Sequence, residues 1–414
     1  MAGALALLAW AAVTACGGAA ERPPAGDAVA ARADAADPEA EASLRSLPYG
    51  RWVPVAADDL REGVVLHEGR TAPGLNLFNT RHVARAFLVD MEGRTVHRWR
   101  APAATEDAFQ HVEPTADGGL VGLIKDRGLL RLDADSRLLW TRDLPAHHDV
   151  ALLGDGGMWV PSRLPRWVDH DGERLPILED RLTRLDAEGG VLEHVGLWEL
   201  FGGAVPERRW RAIRDWVAAT GGGSGAEVLA RVRSDSPPDL FHLNSVEVLE
   251  RPVPGLGRPG DLLISIRELD TVAVLDPGAR RVRWRWGPGH IERQHHPSVT
   301  DAGTVLLFDN GRRRGWSRVV EVDPATAQVV WEYRATPPES FFSFSRGAAQ
   351  RLPNDNTLIT ESDAGRVMEV TQAGEVVWEL LGPRVPAAAG RPPRRAAIYR
   401  LRRMPADWWP PDPD

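Results

Sequence analysis

Four histidine-bearing phrases recur along this chain: FQH at 109–111, AHHD at 146–149, LFHLN at 240–244 and RQHHP at 293–297. Three of them precede a turn-and-strand phrase, ADGGLVGLI (116–124), GDGGMWV (154–160) or DAGTVLLF (301–308). Histidines in one slot of a repeat converge if the repeat closes into a ring. Gathered imidazoles could bind a metal, hold an anion, move a proton or attack as nucleophiles near neutral pH. His111, His148, His242 and His295 occupy the slot, and His147 and His296 stand beside it in doublets. A one-residue shift in a strand reverses side-chain direction, so each doublet leaves two candidates. Asp149 follows His148 and is placed either to ligate a metal or to orient that ring. His67, His82, His97, His170, His194 and His290 read as ordinary side chains.

The elements that must position these residues have a visible grammar. An alternating strand ends in Asp, a turn follows, and a second strand ends in Trp. Copies are AFLVDMEGRTVHRW (86–99), GLLRLDADSRLLW (128–140), VAVLDPGARRVRWRW (272–286), VVEVDPATAQVVW (319–331) and VMEVTQAGEVVW (367–378), with a looser one at 182–198. Asp and Gly form the turns, and β-branched and aromatic residues form the strands. The turn aspartates Asp90, Asp133, Asp186, Asp276 and Asp323 are separated by 43, 53, 90 and 47 residues. This period predicts an all-β, six-bladed β-propeller with four-stranded antiparallel blades. The long gap holds an insertion near 199–239. A helix is expected at 206–220, where Trp210, Ile213, Trp216 and Val217 form a stripe. It would be a surface elaboration or a lid. Pairing of a C-terminal strand within 395–405 with an early one, near 52–56 or 63–69, would close the ring and remove exposed edges.

Bulk properties limit the function. The 414 residues are 43% hydrophobic with a net charge of −8, which gives no general drive toward nucleic acid. The sixteen tryptophans, among them those at 99, 140, 286, 331 and 378, point to a repeated packing role. The single cysteine, Cys16, follows a short apolar run, GALALLAWAAVTA, in the phrase VTAC. That run is too short to cross a bilayer and resembles the lipobox of a bacterial lipoprotein signal, though Met1 and Ala2 supply no basic residue ahead of it. The expected organisation is a signal at 1–16 with Cys16 lipidated, a tether at 17–45 rich in Ala, Pro, Asp and Glu, a propeller at 46–405 and a disordered tail at 406–414. The chain would then sit outside the cytoplasm, in the cell envelope or periplasm, held to the membrane by its lipid.

No compact metal-ligand spacing such as HExxH appears. An anion pocket is the other reading of the ring. Arg267, within LLISIRELDTV (262–272), is expected mid-strand, where an arginine is costly unless it meets an anion or a carboxylate. Arg346 is expected at the start of the next inner strand. Asn310, in Asp309-Asn310-Gly311, reads as a turn residue or a substrate contact.

HHDV (147–150), FHLNSVEVL (241–249), SIRELDTVAVLD (265–276), QHHPSVTDAGTVLLFDNG (294–311), AQRLPNDNTLITE (349–361) and GEVVWEL (374–380) resemble the bacterial arylsulfotransferase family. These pieces span most of 86–381. The resemblance implies transfer of a sulfuryl group from an aryl sulfate to a phenolic acceptor without a nucleotide donor or any cofactor. It implies a ping-pong route through a sulfohistidine at His295, with His148, His242, Asn244 and Arg267 binding and polarising the sulfate. His148 or His242 would protonate the leaving phenoxide. His296, His147, His111, Arg346 and Asn310 are secondary substrate-binding candidates, and the partners are small phenolic molecules. A non-catalytic envelope propeller that binds a ligand or protein is the main alternative, since fold does not determine function. A metal- or quinone-dependent oxidoreductase lacks a ligand or cofactor fingerprint here. A nucleotide-dependent sulfotransferase would need a P-loop, and none is present.

Overall fold

A computed structural model describes residues 52–409 except 57, 81–82, 104, 106, 222–224, 235–237 and 386–392. The apolar leader, Cys16, the tether and residues 410–414 lie outside the described residues.

The described chain folds into six antiparallel blades arranged as a ring. Blades two to five each take four strands in sequence order from the inside outward. Blade four, for example, runs Leu243–Val248, Leu262–Ile266, Thr271–Asp276 and Arg281–Trp286. The Asp-turn-Trp phrases are the outer hairpins of the blades. Second strands such as Leu262–Ile266 and Val305–Asp309 are buried along their whole length, being covered on both faces by neighbouring blades. This explains why they read as unbroken apolar runs rather than alternating ones. Outermost strands such as Gln328–Tyr333 face solvent over most of their length.

Six apolar clusters hold the ring. Each spans two adjacent blades, as where Leu263 and Val274 of blade four meet Leu307 and Val320 of blade five. The tryptophans serve these joints. Trp140 donates its indole N–H to Ala187 O in the next blade's turn at 3.0 Å, Trp331 to Gln372 O at 3.0 Å and Trp378 to Met91 O at 2.9 Å.

Closure uses more of the termini than the sequence suggested. Ile398–Met404 is the innermost strand of blade one and pairs with Leu75–Thr80, a strand not foreseen. Gly63–His67 adds a fifth, outer strand to blade six. Trp52–Pro54 does pair with Arg394–Ala396, but in a small separate sheet. Both ends of the chain therefore lock the ring. Residues 406–409 extend this lock as a turn rather than a loose tail. Trp409 stacks on His97 at 4.1 Å and meets Trp99 edge-on at 5.5 Å.

Blade three is the irregular one. Its middle strands, Met158–His170 and Glu173–Leu185, are thirteen residues each and run past the ring as a long hairpin. Three helices follow: α1 (Trp198–Phe201), α2 (Glu207–Thr220) and α3 (Gly225–Ser234). Trp210 and Ile213 of α2 pack with Val168, Leu175 and Ile177 of the hairpin. The second strand of a blade ends beside the start of the first, because the two are antiparallel. The extended hairpin and its helices therefore rise from the rim where the first strands begin, which is also the histidine rim.

Candidate active site

First strands line the central channel. The histidine slot lies at or just before their starts: His111 and His295 begin theirs, His242 precedes Leu243–Val248, and His148 precedes Ala151–Leu152. Three site histidines sit in the left-handed backbone region, His148 at φ 70°, His242 at φ 55° and His296 at φ 47°. Such conformations are uncommon for residues other than glycine and cluster at functional sites. The kinks turn backbone N–H groups away from the ladders, and buried side chains catch two of them. Gln110 Oε1 accepts from His148 N at 3.0 Å, and Asp180 Oδ2 accepts from His242 N at 2.9 Å.

His295 is held in one tautomer. Asn310 donates its amide N–H groups to Ser343 O at 2.7 Å and Arg346 O at 2.8 Å, which orients the amide. Its Oδ1 therefore faces His295 Nδ1, 2.7 Å away, and Arg293 O lies 3.0 Å from the same nitrogen. Both neighbours are acceptors, so Nδ1 carries the proton and Nε2 carries the lone pair. His295 Nε2 is buried with no hydrogen-bond partner. Burial, the Arg267 charge, and against them the Asn310 bond, leave the ring with a pKa of about 3. The imidazole is neutral at physiological pH. A small void beside it is lined by Asn244, His296, Arg346, Gly347, Tyr399 and Arg400. Gly347 is required by close approach: a Cβ there would lie 2.3 Å from the Phe308 ring.

The other histidines form a relay. His242 Nδ1 lies 2.6 Å from Asp239 Oδ2, so it donates. His242 Nε2 then accepts from His148 Nε2 at 3.2 Å, and His148 Nδ1 accepts from His147 Nδ1 at 2.7 Å. His147 Nε2 ends the row 2.9 Å from Asp180 Oδ1. Burial first, then surrounding positive charge, holds His148 and His242 well below the ordinary histidine pKa. The relay can pass a proton along its nitrogens but does not line the His295 void.

The remaining candidates fall in different places. Asn244 lines the void; its Nδ2 donates to Gln294 O at 2.9 Å and its buried Oδ1 has no partner. Arg346 lines it too, with Nε bonded to Asp363 Oδ1 at 2.8 Å. His296 bonds Ala349 O through Nδ1 at 3.2 Å. His111 stands 3.3 Å from Glu113 and 3.5 Å from Asp149. Asn310 is taken up in holding His295. Arg267 is not mid-strand: it opens a 3-10 turn, Arg267–Leu269, just after Leu262–Ile266. The carboxylate its burial demands is Glu268, at 2.7 Å, which also pairs with Arg293 and with Arg209 of α2. Burial, Arg293 and Arg208 pull Arg209 down to about 10. The insertion is thus tied by charge to the rim of the site. Asp149 does not orient His148. It accepts from Ser245 Oγ at 3.0 Å, Val246 N at 3.1 Å and Arg400 at 3.0 Å, because its carboxylate points down the channel.

Sequence reasoning missed Gln110, Asp180, Asp239, Tyr399 and Arg400. Gln110 alone carried a signal, as the residue before His111 in a slot where Gln294 precedes His295. Among the described residues, one group with metal-ligand geometry occurs, His170, Asp171 and Glu207, at the hairpin tip and the start of α2.

The family described as Arylsulfotransferase (ASST) matches residues 127–382. The chain belongs to this family. Of the channel residues expected from the sequence, the matched segment contains all but His111; Gln110, Tyr399 and Arg400 also lie outside it. No curated protein matches the chain in sequence. Among solved structures, a protein of unknown function from Bacteroides caccae is 14% identical over 75% of this chain and 94% of its own, with TM-score 0.48. A streptogramin B lyase is 10% identical over 80% and 87%, with TM-score 0.45. The Pan2 WD40 domain of Neurospora crassa is 10% identical over 78% and 81%, with TM-score 0.40. Overlaps this loose carry no functional argument. For this arylsulfotransferase-family chain, the functional evidence is the family and the site.

Proposed function

We propose that the protein is a PAPS-independent aryl sulfotransferase working by a ping-pong mechanism through a sulfohistidine at His295 Nε2. The observation that carries this reading is the buried, unpartnered Nε2 lone pair facing a void, with Nδ1 fixed by Asn310. Nε2 attacks the sulfur of an aryl sulfate. The bond from sulfur to the aryl oxygen breaks, its electron pair leaves on the phenoxide, and that oxygen takes a proton. In the second half-reaction a phenol oxygen attacks the same sulfur, the N–S bond breaks, and the phenol gives up its proton. The His148–His242 relay stands outside the void, so in this scheme it exchanges that proton with the phenol oxygen through an intervening carrier rather than by contact. Arg346, in the void, and Arg267, whose charge reaches His295, offset charge on the sulfuryl oxygens. Asn244 orients them through its second amide hydrogen. No step requires a cofactor.

The test is intact-protein mass after brief exposure to 4-nitrophenyl sulfate, with nitrophenol release. A gain of one SO3, discharged by added phenol and absent in His295→Asn, is expected. A normal adduct in His295→Asn would rule out this nucleophile. Loss of the adduct only in His296→Asn would move the nucleophile by one residue.

The location proposed for this chemistry is the cell envelope, with the chain anchored by lipid on Cys16. Palmitate labelling that disappears in Cys16→Ala is the expected result, and an unlabelled wild type would remove the anchor.

A further inference from the structure

A cavity of about 600 Å3 lies in the channel, a size suited to a small-molecule ligand. Its wall comes from the first strands. His296 and Arg400 line both this cavity and the void at His295. Those two side chains are therefore shared walls of the cavity and the nucleophile's void.

The charges on the wall are mostly answered. Arg400 pairs with Asp149 at 3.0 Å and Arg402 with Glu113. Arg251 donates to the carbonyls of Thr300 and Asp301, both at 2.8 Å. Glu250 and Asp301, also on this wall, have no ion pair among the described residues but are exposed, whereas Glu247 is half-buried within the cavity. Its Oε1 accepts from Val299 N at 3.1 Å. Among the described residues, no arginine, lysine or histidine lies within ion-pair distance of it. Burial is the main reason its carboxyl is pushed up to about 7, the negative Asp149 and Glu250 add to the rise, and Arg402 opposes it. Ionised Glu247 thus lacks a cation inside a ligand-sized cavity. Val299 follows His295 by four residues on one strand, so the Glu247 carboxylate lies at most roughly 13 Å farther along the channel.

We infer that this cavity receives the acceptor and that Glu247 binds an ammonium group there, so the favoured acceptor is a phenol carrying a positively charged amine at the end remote from its hydroxyl. The inference rests on the sulfuryl-transfer reading for the word acceptor, but the cation site stands or falls by binding alone.

Three probes separate the ideas: tyramine, N-acetyltyramine and 4-ethylphenol. Calorimetry without donor is run on the wild type and on Glu247→Gln. A charge-assisted contact should make tyramine bind about tenfold tighter than either neutral probe. The gap should close in Glu247→Gln. It should widen from pH 6 to pH 8, as Glu247 ionises while the amine stays protonated. Equal binding of the three probes to the wild type, or an undiminished gap in a folded Glu247→Gln protein, overturns the inference. Transfer from 4-nitrophenyl sulfate is then measured. Transfer without preference for tyramine overturns the acceptor assignment and leaves the sulfotransferase reading intact. A tyramine preference in binding with no transfer to any probe supports the cation site and counts against the sulfotransferase reading.

Discussion

Asn310 Oδ1 accepts from His295 Nδ1 at 2.7 Å, while the same amide donates to two carbonyls from the approach to blade six. The orientation of His295, the proposed nucleophile, is therefore set by the neighbouring blade. Asn310→Ala removes the closer of the two acceptors at Nδ1, leaving only Arg293 O at 3.0 Å, and loosens the hold on the tautomer. We expect transfer to slow by about 10²-fold, the scale of a small misplacement at a reacting atom. A purely structural role would also slow the reaction, so the deciding readout is 15N NMR of His295. The wild type should show the proton on Nδ1, and the variant a mixture of tautomers. An unchanged tautomer would remove Asn310 from its positioning role.

The buried histidines give the fold a signed dependence on pH. Burial holds His148, His242 and His296 well below the ordinary value and His295 at about 3. Between about pH 4.5 and 6.5 the unfolded chain binds protons on these four rings that the folded chain does not. Glu247 and Glu361, pushed up to about 7, act in the opposite sense. The histidines outnumber them, so the unfolded state binds more protons overall and stability rises with pH across this window. Above about pH 6.5 the fading histidine contribution roughly balances that of the glutamates, and stability levels. Urea midpoints at pH 5, 6 and 7 should increase and then flatten. A midpoint highest at pH 5 would show that these rings are not buried neutral.

Much of this arrangement was legible in the sequence, for definite physical reasons. Blade period and turn chemistry are local, so Asp90 and Asp133 mark outer hairpins without knowledge of the ring. The histidine slot repeats because the first strand of every blade begins at the same rim. What stayed hidden depends on distant pairing. Leu75–Thr80 follows a Pro73-Gly74 turn but belongs to no Asp-turn-Trp phrase, and its place in blade one shows only when it meets Ile398–Met404. The long hairpin at 158–185 looked like ordinary strands because its extension is stabilised by helices arriving later in the chain. Arg400 and Asp180 carry no motif and reach the channel through closure and through that hairpin.

Glu268 is the counter-charge for three arginines, one of them from the inserted helix. It is only 3% exposed. Glu268→Gln leaves Arg209, Arg267 and Arg293 facing one another, and removing one partner of a buried pair typically costs about 3–5 kcal/mol. A large fall in the urea midpoint is expected. Arg209→Ala breaks only the tie from α2 (Glu207–Thr220). It should speed amide exchange in that helix while leaving the blades protected. If exchange in α2 is unchanged, the helix is held by Trp210 and Ile213 packing alone and the charge tie is dispensable.

Trp378 is where the ring joins its two ends. Its indole is fully buried and donates to Met91 O at 2.9 Å, from blade six to blade one. Trp331 makes the corresponding bond to Gln372 O from a partly exposed position. Replacement by phenylalanine keeps most of the apolar surface and deletes the donor. At position 378 the buried Met91 carbonyl is left unpaired, which costs about 1–3 kcal/mol. At position 331 water can replace the donor, and the loss should be smaller. Trp378→Ala adds a cavity and should cost about 3–5 kcal/mol. Urea denaturation of the three variants checks the order. If Trp331→Phe costs as much as Trp378→Phe, the contribution comes from ring packing rather than from the bond that closes the propeller.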